Sequence, residues 1–82
     1  MKLLKFAASW CGPCQGLSMT IKSLGDKITL PIQEIDIDKE SELSIHYGVR
    51  SVPTLIIVDD AGTVIKRSVG ALTGDKLLEF VA

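Results

Sequence analysis

The segment that most constrains the fold is residues 1–14, where an apolar run, MKLLKFA, is broken by Ser9, Gly12 and Pro13 and leads directly into Cys11 and Cys14. Such a run, bounded by turn-forming residues, is the pattern of a strand buried on both faces. From Pro13 to Leu24 the apolar residues Cys14, Leu17, Met19, Ile21 and Leu24 recur at near-helical spacing, and Gly25 follows as a terminator. Residues 32–37 (IQEIDI) read as a second strand, and residues 39–47 as a short helix stopped by Gly48. The segments TLIIVDD and TVIKRSV flank Ala61-Gly62 and read as a hairpin. From Thr73, a candidate N-cap, to Ala82 the chain reads as an amphipathic helix with Leu77, Leu78, Phe80 and Val81 as its apolar surface.

A strand–helix–strand unit requires a right-handed crossover, which sets the first two strands parallel with the helix packed on one face. The hairpin then adds antiparallel strands. The expected product is an α/β fold of order β-α-β-α-β-β-α, with a four-stranded mixed sheet, helices on both faces and the first strand central. The cysteines fall at the carboxyl end of that strand, where open α/β sheets place their chemistry.

A chain of 82 residues has room for one core, so a single domain over residues 1–82 is expected. Its 46% hydrophobic and 23% charged residues are those of a soluble globular protein. A formal net charge of -1, with both signs interspersed, offers no basic stripe for nucleic acid and no polybasic patch for a membrane. The opening resembles a secretory leader, but Lys5 interrupts the apolar run well short of the ~7 residues such a leader needs. No apolar stretch approaches the ~18 residues of a membrane span. A cytoplasmic monomer is the expectation.

Two cysteines can form a structural staple, half a metal site or a redox pair. With two residues between them, Cys11 and Cys14 close too small a loop for appreciable chain-entropy stabilisation. A tetrahedral zinc site needs about four ligands, and the chain adds one histidine, His46, within a polar segment. No metal or cofactor is therefore expected, and the redox pair is favoured. At a helix mouth, unpaired N–H groups and the dipole stabilise an anion, so Cys11 is expected as the attacking thiolate. Cys14, one turn further along and expected to lie deeper, is the candidate resolving thiol.

Trp10-Cys11-Gly12-Pro13-Cys14 resembles the active-site signature of the thioredoxins. The resemblance continues through Ile37-Asp38, Tyr47-Gly48-Val49-Arg50-Ser51-Val52-Pro53-Thr54, Gly62 and Val69-Gly70-Ala71-Leu72, almost end to end. It implies a thioredoxin-like fold and a reductase of protein disulfides working through a reversible Cys11–Cys14 couple. It further implies a cis bond before Pro53 lying against the disulfide, a Val52 backbone that pairs with an extended substrate segment, a Gly70 that lets this segment approach, and a Trp10 that shields the sulfurs. The implied partners are disulfide-containing proteins and a thioredoxin reductase-like donor. The alternatives are a glutaredoxin-like, glutathione-dependent reductase, a redox-silent binding module, and an oxidase or isomerase of secreted proteins.

The departures matter too. The extra strand and helix with which full-length thioredoxins begin are missing from this sequence, and Met19 replaces their helix-kinking proline, so a straighter helix is expected. Glutaredoxins, closer in size, usually carry Cys-Pro-Tyr-Cys and a later Gly-Gly, whereas here the segments are Cys11-Gly12-Pro13-Cys14 and Gly70-Ala71. Thioredoxins also carry a buried aspartate six residues before the first cysteine, paired with a lysine on the neighbouring strand. Those positions hold Lys5 and Glu34 here, which implies an exchanged, buried ion pair beneath Cys14, with Glu34 as a candidate proton acceptor.

Overall fold

A computed structural model describes residues 1–82. The elements run β1 (Lys2–Ala7), α1 (Gly12–Leu24), β2 (Ile32–Asp36), α2 (Ser41–His46), β3 (Thr54–Val58), β4 (Val64–Val69) and α3 (Gly74–Val81). A 3₁₀ turn, Gly25–Lys27, follows α1. The strands form one sheet in the order β2-β1-β3-β4, with β1 parallel to β2 and antiparallel to β3, and β3 antiparallel to β4.

The two interior strands are the two most apolar ones. All of β3 and all of β1 except Lys2 are buried, whereas β4 is exposed along nearly its whole length and β2 buries only Ile35. Alternation along β1 divides the core in two. Leu3 joins Leu55, Ile57, Leu17 of α1 and Leu77 of α3 on one face. Leu4 and Phe6 join Ile35, Ile56 and Val58 on the other, which Leu43 of α2, Tyr47 and Val49 help cover. Helices therefore lie on both faces, as the sequence pattern predicts.

Local signals set the boundaries. Gly25 ends α1 with a positive φ of 52°, a conformation that costs glycine little. The Thr73 side chain accepts the Lys76 N–H as the N-cap of α3. The second strand and helix are both shorter than the sequence suggests, because the Asp36 carboxylate accepts the N–H groups of Asp38 and Lys39. That turn ends β2 at Asp36 and delays α2 to Ser41. The helix α1 runs uninterrupted for 13 residues, consistent with the absence of an internal proline.

Two positions on α1 separate packing from propensity. Leu17 is 1% exposed and Met19 is 73% exposed. Leu17→Ala should lower the unfolding free energy by ~2–5 kcal/mol, measured by urea denaturation. Met19→Ala should stay within ~0.5 kcal/mol of the parent.

Candidate active site

The chain leaves β1 through Ala8-Ser9-Trp10 and enters α1 at Cys11. Cys11 is the N-cap, with extended backbone (φ −90°, ψ 107°), and its Sγ accepts the backbone N–H of Cys14 at 3.1 Å. Pro13 occupies the first turn, where its missing N–H leaves no donor unsatisfied. No acidic side chain lies in that turn to compete for the positive end of the helix. The two cysteines form a disulfide with their Cα atoms 5.2 Å apart.

The expected difference in depth between the sulfurs is absent. Cys11 is 4% exposed and Cys14 3%, and together with Ala7 and Ala8 they form a small apolar cluster. Both are buried because the cap position folds Cys11 back over the first turn. Their distinction lies in polarity of contact: the Cys11 sulfur receives an N–H, whereas no hydrogen bond is made by the Cys14 sulfur.

Val52 packs against this cluster, and the Val52–Pro53 peptide bond is cis. The Pro53 carbonyl accepts the Gly70 N–H at 2.8 Å, tying the segment before β3 to the residue after β4. Gly70 has φ 97°, and a Cβ built there would meet nothing within 4 Å. Backbone conformation, rather than crowding, therefore calls for glycine there, and the space above it is open. Trp10 is 67% exposed, with its indole N–H donated to Asp38 at 3.0 Å.

Lys5 and Glu34 are direct partners across the parallel β1–β2 register, and their side chains approach to 3.4 Å. The pair is not buried as expected. The Lys5 side chain is 3% exposed and that of Glu34 64%, because β2 is an edge strand from which Glu34 reaches water. The Lys5 ammonium also donates to the Ser18 hydroxyl, which in turn donates to the Cys14 carbonyl at 3.1 Å. Ser18 is the residue that sequence reasoning missed. Its place four residues after Cys14 predicts a hydroxyl bond back to that carbonyl, but nothing local sets it against Lys5. Lys5, Ser18, Cys14, Glu34 and Asp36 all line one cavity of about 310 Å³ beside the disulfide.

With this geometry in place, relatives can be compared. The family model described as Thioredoxin matches residues 1–82. The chain belongs to the thioredoxin family. It is 41% identical to a thioredoxin of Rhodospirillum rubrum over 80 residues, covering 93% of this chain and 74% of that protein. It is likewise 41% identical to a thioredoxin of Bacillus subtilis over 83 residues, covering 96% and 77%. Among solved structures it superposes on a mutant thioredoxin from Halobacterium salinarum with a TM-score of 0.86 at 37% identity, covering 96% of this chain and 69% of that one. The thioredoxin of Fasciola hepatica gives 0.84 at 30% identity, covering 96% and 75%. Membership and the disulfide pair together make this chain a thiol–disulfide oxidoreductase acting on protein disulfides. No helix is long and apolar enough to cross a membrane.

Removing the Ser18 hydroxyl leaves a buried ammonium short of an acceptor. Ser18→Ala should cost ~1–3 kcal/mol of stability in thermal or urea unfolding. Thr20→Ala, whose hydroxyl makes a similar bond to Gly16 at the exposed face, should cost markedly less.

Proposed function

We propose that the chain reduces disulfides of protein substrates with Cys11 as the attacking thiolate and Cys14 as the resolving thiol. The observation that carries this reading is the N-cap position of Cys11, whose sulfur takes the Cys14 N–H. In the dithiol form, a donor already aimed at that sulfur and the positive end of α1 favour a negative charge there. The Cys11 thiolate attacks one sulfur of the substrate disulfide and expels the other as a thiolate. Cys14, once deprotonated, attacks the Cys11 sulfur, closes the Cys11–Cys14 disulfide and releases the second substrate thiol.

Substrate contact in this proposal centres on Val52. Neither its N–H nor its carbonyl joins a backbone hydrogen bond within the fold, and its side chain rests on the cysteine cluster. An extended peptide is the partner such groups suit, pairing with them as a short added strand. Gly70 keeps the adjoining space open, Gly12 and Pro13 shape the turn that presents Cys11, and exposed Trp10 supplies apolar contact area. The donor proposed to return the disulfide to the dithiol is a thioredoxin reductase-like protein. The proposed compartment is the cytoplasm, where thiols are kept reduced.

Insulin reduction tests the assignment. Cys11→Ser should abolish turnover, and Cys14→Ser should accumulate a mixed disulfide through Cys11, visible by mass spectrometry after non-reducing digestion. Capture through Cys14 would reverse the roles. Reduction of the oxidised chain by a thioredoxin reductase should exceed that by glutathione, and the opposite order would assign the donor to glutathione.

A further inference from the structure

Lysine is among the residues least often fully buried. Lys5 is 2% exposed and stands at the centre of the sheet, on the face covered by α1. An ammonium in that place is costly unless hydrogen-bonded and paired. Its partners are the Ser18 hydroxyl and the Glu34 carboxylate, and Ser18 passes the contact on to the carbonyl of Cys14. The sequence of bonds thus runs from a buried cation to the residue proposed to resolve the mixed disulfide, and both border the same cavity.

The charges around that cavity do not cancel evenly. From β1 comes Lys5; from β2 come Glu34 and Asp36; α1 contributes Cys14, Gln15 and Ser18 and the dipole of its N-terminus but no acid in its first turn. Glu34 is mostly in water, where its field is screened. The Asp36 carboxylate is engaged by the N–H groups of Asp38 and Lys39, and Asp38 by the indole of Trp10. Lys22, the nearest further cation on α1, borders a separate cavity with Lys5 and Glu34. The one charge in this set that is almost fully buried is the ammonium of Lys5.

We infer that Lys5 is a positioning and electrostatic residue for the second half-reaction, its buried ammonium favouring the thiolate of Cys14 while Glu34 acts as an attenuating counter-ion rather than a proton acceptor. This rests on the assignment of Cys11 and Cys14 made above. In the mixed disulfide, Cys14 holds the only remaining thiol proton. That proton passes to water in the open cavity, the sulfur attacks Cys11 Sγ, the Cys11–substrate bond breaks, and the leaving sulfur takes a proton from solvent. No buried base is required, because the field of a fixed cation favours ionisation directly.

The test is stopped-flow oxidation of the reduced chain by a substoichiometric amount of dithiodipyridine, an uncharged reagent that releases one chromophore at Cys11 attack and one at resolution by Cys14. The pH dependence of the second phase reports the ionisation of Cys14. Lys5→Met should move its midpoint up by about one pH unit, slowing resolution about tenfold at pH values well below the midpoint. Glu34→Gln, at an exposed site that leaves the fold intact, should move the midpoint down by several tenths of a pH unit and leave resolution at neutral pH no slower. A second-phase profile unmoved in Lys5→Met overturns the inference. So does a Glu34→Gln profile that is unmoved or raised, a result that decides the matter alone should Lys5→Met not fold. A first phase kept in Cys11→Ser and lost in Cys14→Ser would instead overturn the assignment of Cys11 itself.

Discussion

The parallel pairing of β1 with β2 is the constraint on which the site depends. Two parallel neighbours cannot be joined by a tight turn, so the chain between them must cross over the sheet, and α1 is that crossover. A crossover helix starts at the carboxyl end of the strand it follows. The residue at that junction is Cys11, which becomes an N-cap in an extended conformation with its sulfur turned to the first-turn amide of Cys14. The chemistry that distinguishes two otherwise equally buried cysteines thus follows from strand order. Burial of β1 on both faces holds the junction in place, since Leu3, Leu4 and Phe6 anchor it to both halves of the core.

Much of this was legible in the residues. The apolar runs of β1 and β3 announced interior strands, and Gly25, Gly48 and Thr73 marked helix ends that the structure keeps. The motif Trp10-Cys11-Gly12-Pro13-Cys14, with Val52-Pro53 and Gly70 far along the chain, was enough to indicate the family. What stayed hidden depends on three-dimensional position. The capping role of the Asp36 carboxylate shortened β2 and α2, because a side chain competing for backbone N–H groups leaves no periodic trace. The equal burial of Cys11 and Cys14 arises from how the cap folds back, and the part played by Ser18 from its height against β1.

Lys5 and Glu34 show how a correct pairing can carry an incorrect environment. Their register across β1 and β2 follows from the strand alignment, and the ion pair forms. Equal burial does not follow, because β1 is interior and β2 is an edge. A strand at the edge leaves the side chains of one flank open to water, so a carboxylate there keeps most of its hydration while its partner loses nearly all. Ser18 makes up part of that loss from the helix above. The result is a pair whose cation is buried on the α1 side of the sheet and whose anion faces water, in a chain whose overall charge is close to neutral.

The central claim is that helix-cap position, rather than exposure, makes Cys11 the attacking thiol. Competitive alkylation tests it most directly: the fully reduced chain is treated with less than one equivalent of iodoacetamide at neutral pH, and the label is located by peptide mass spectrometry. The account predicts carboxamidomethylation almost wholly at Cys11, although the two cysteines are buried to within 1% of each other in the folded chain (4% and 3%). Equal labelling of the two sulfurs, or preference for Cys14, would contradict it.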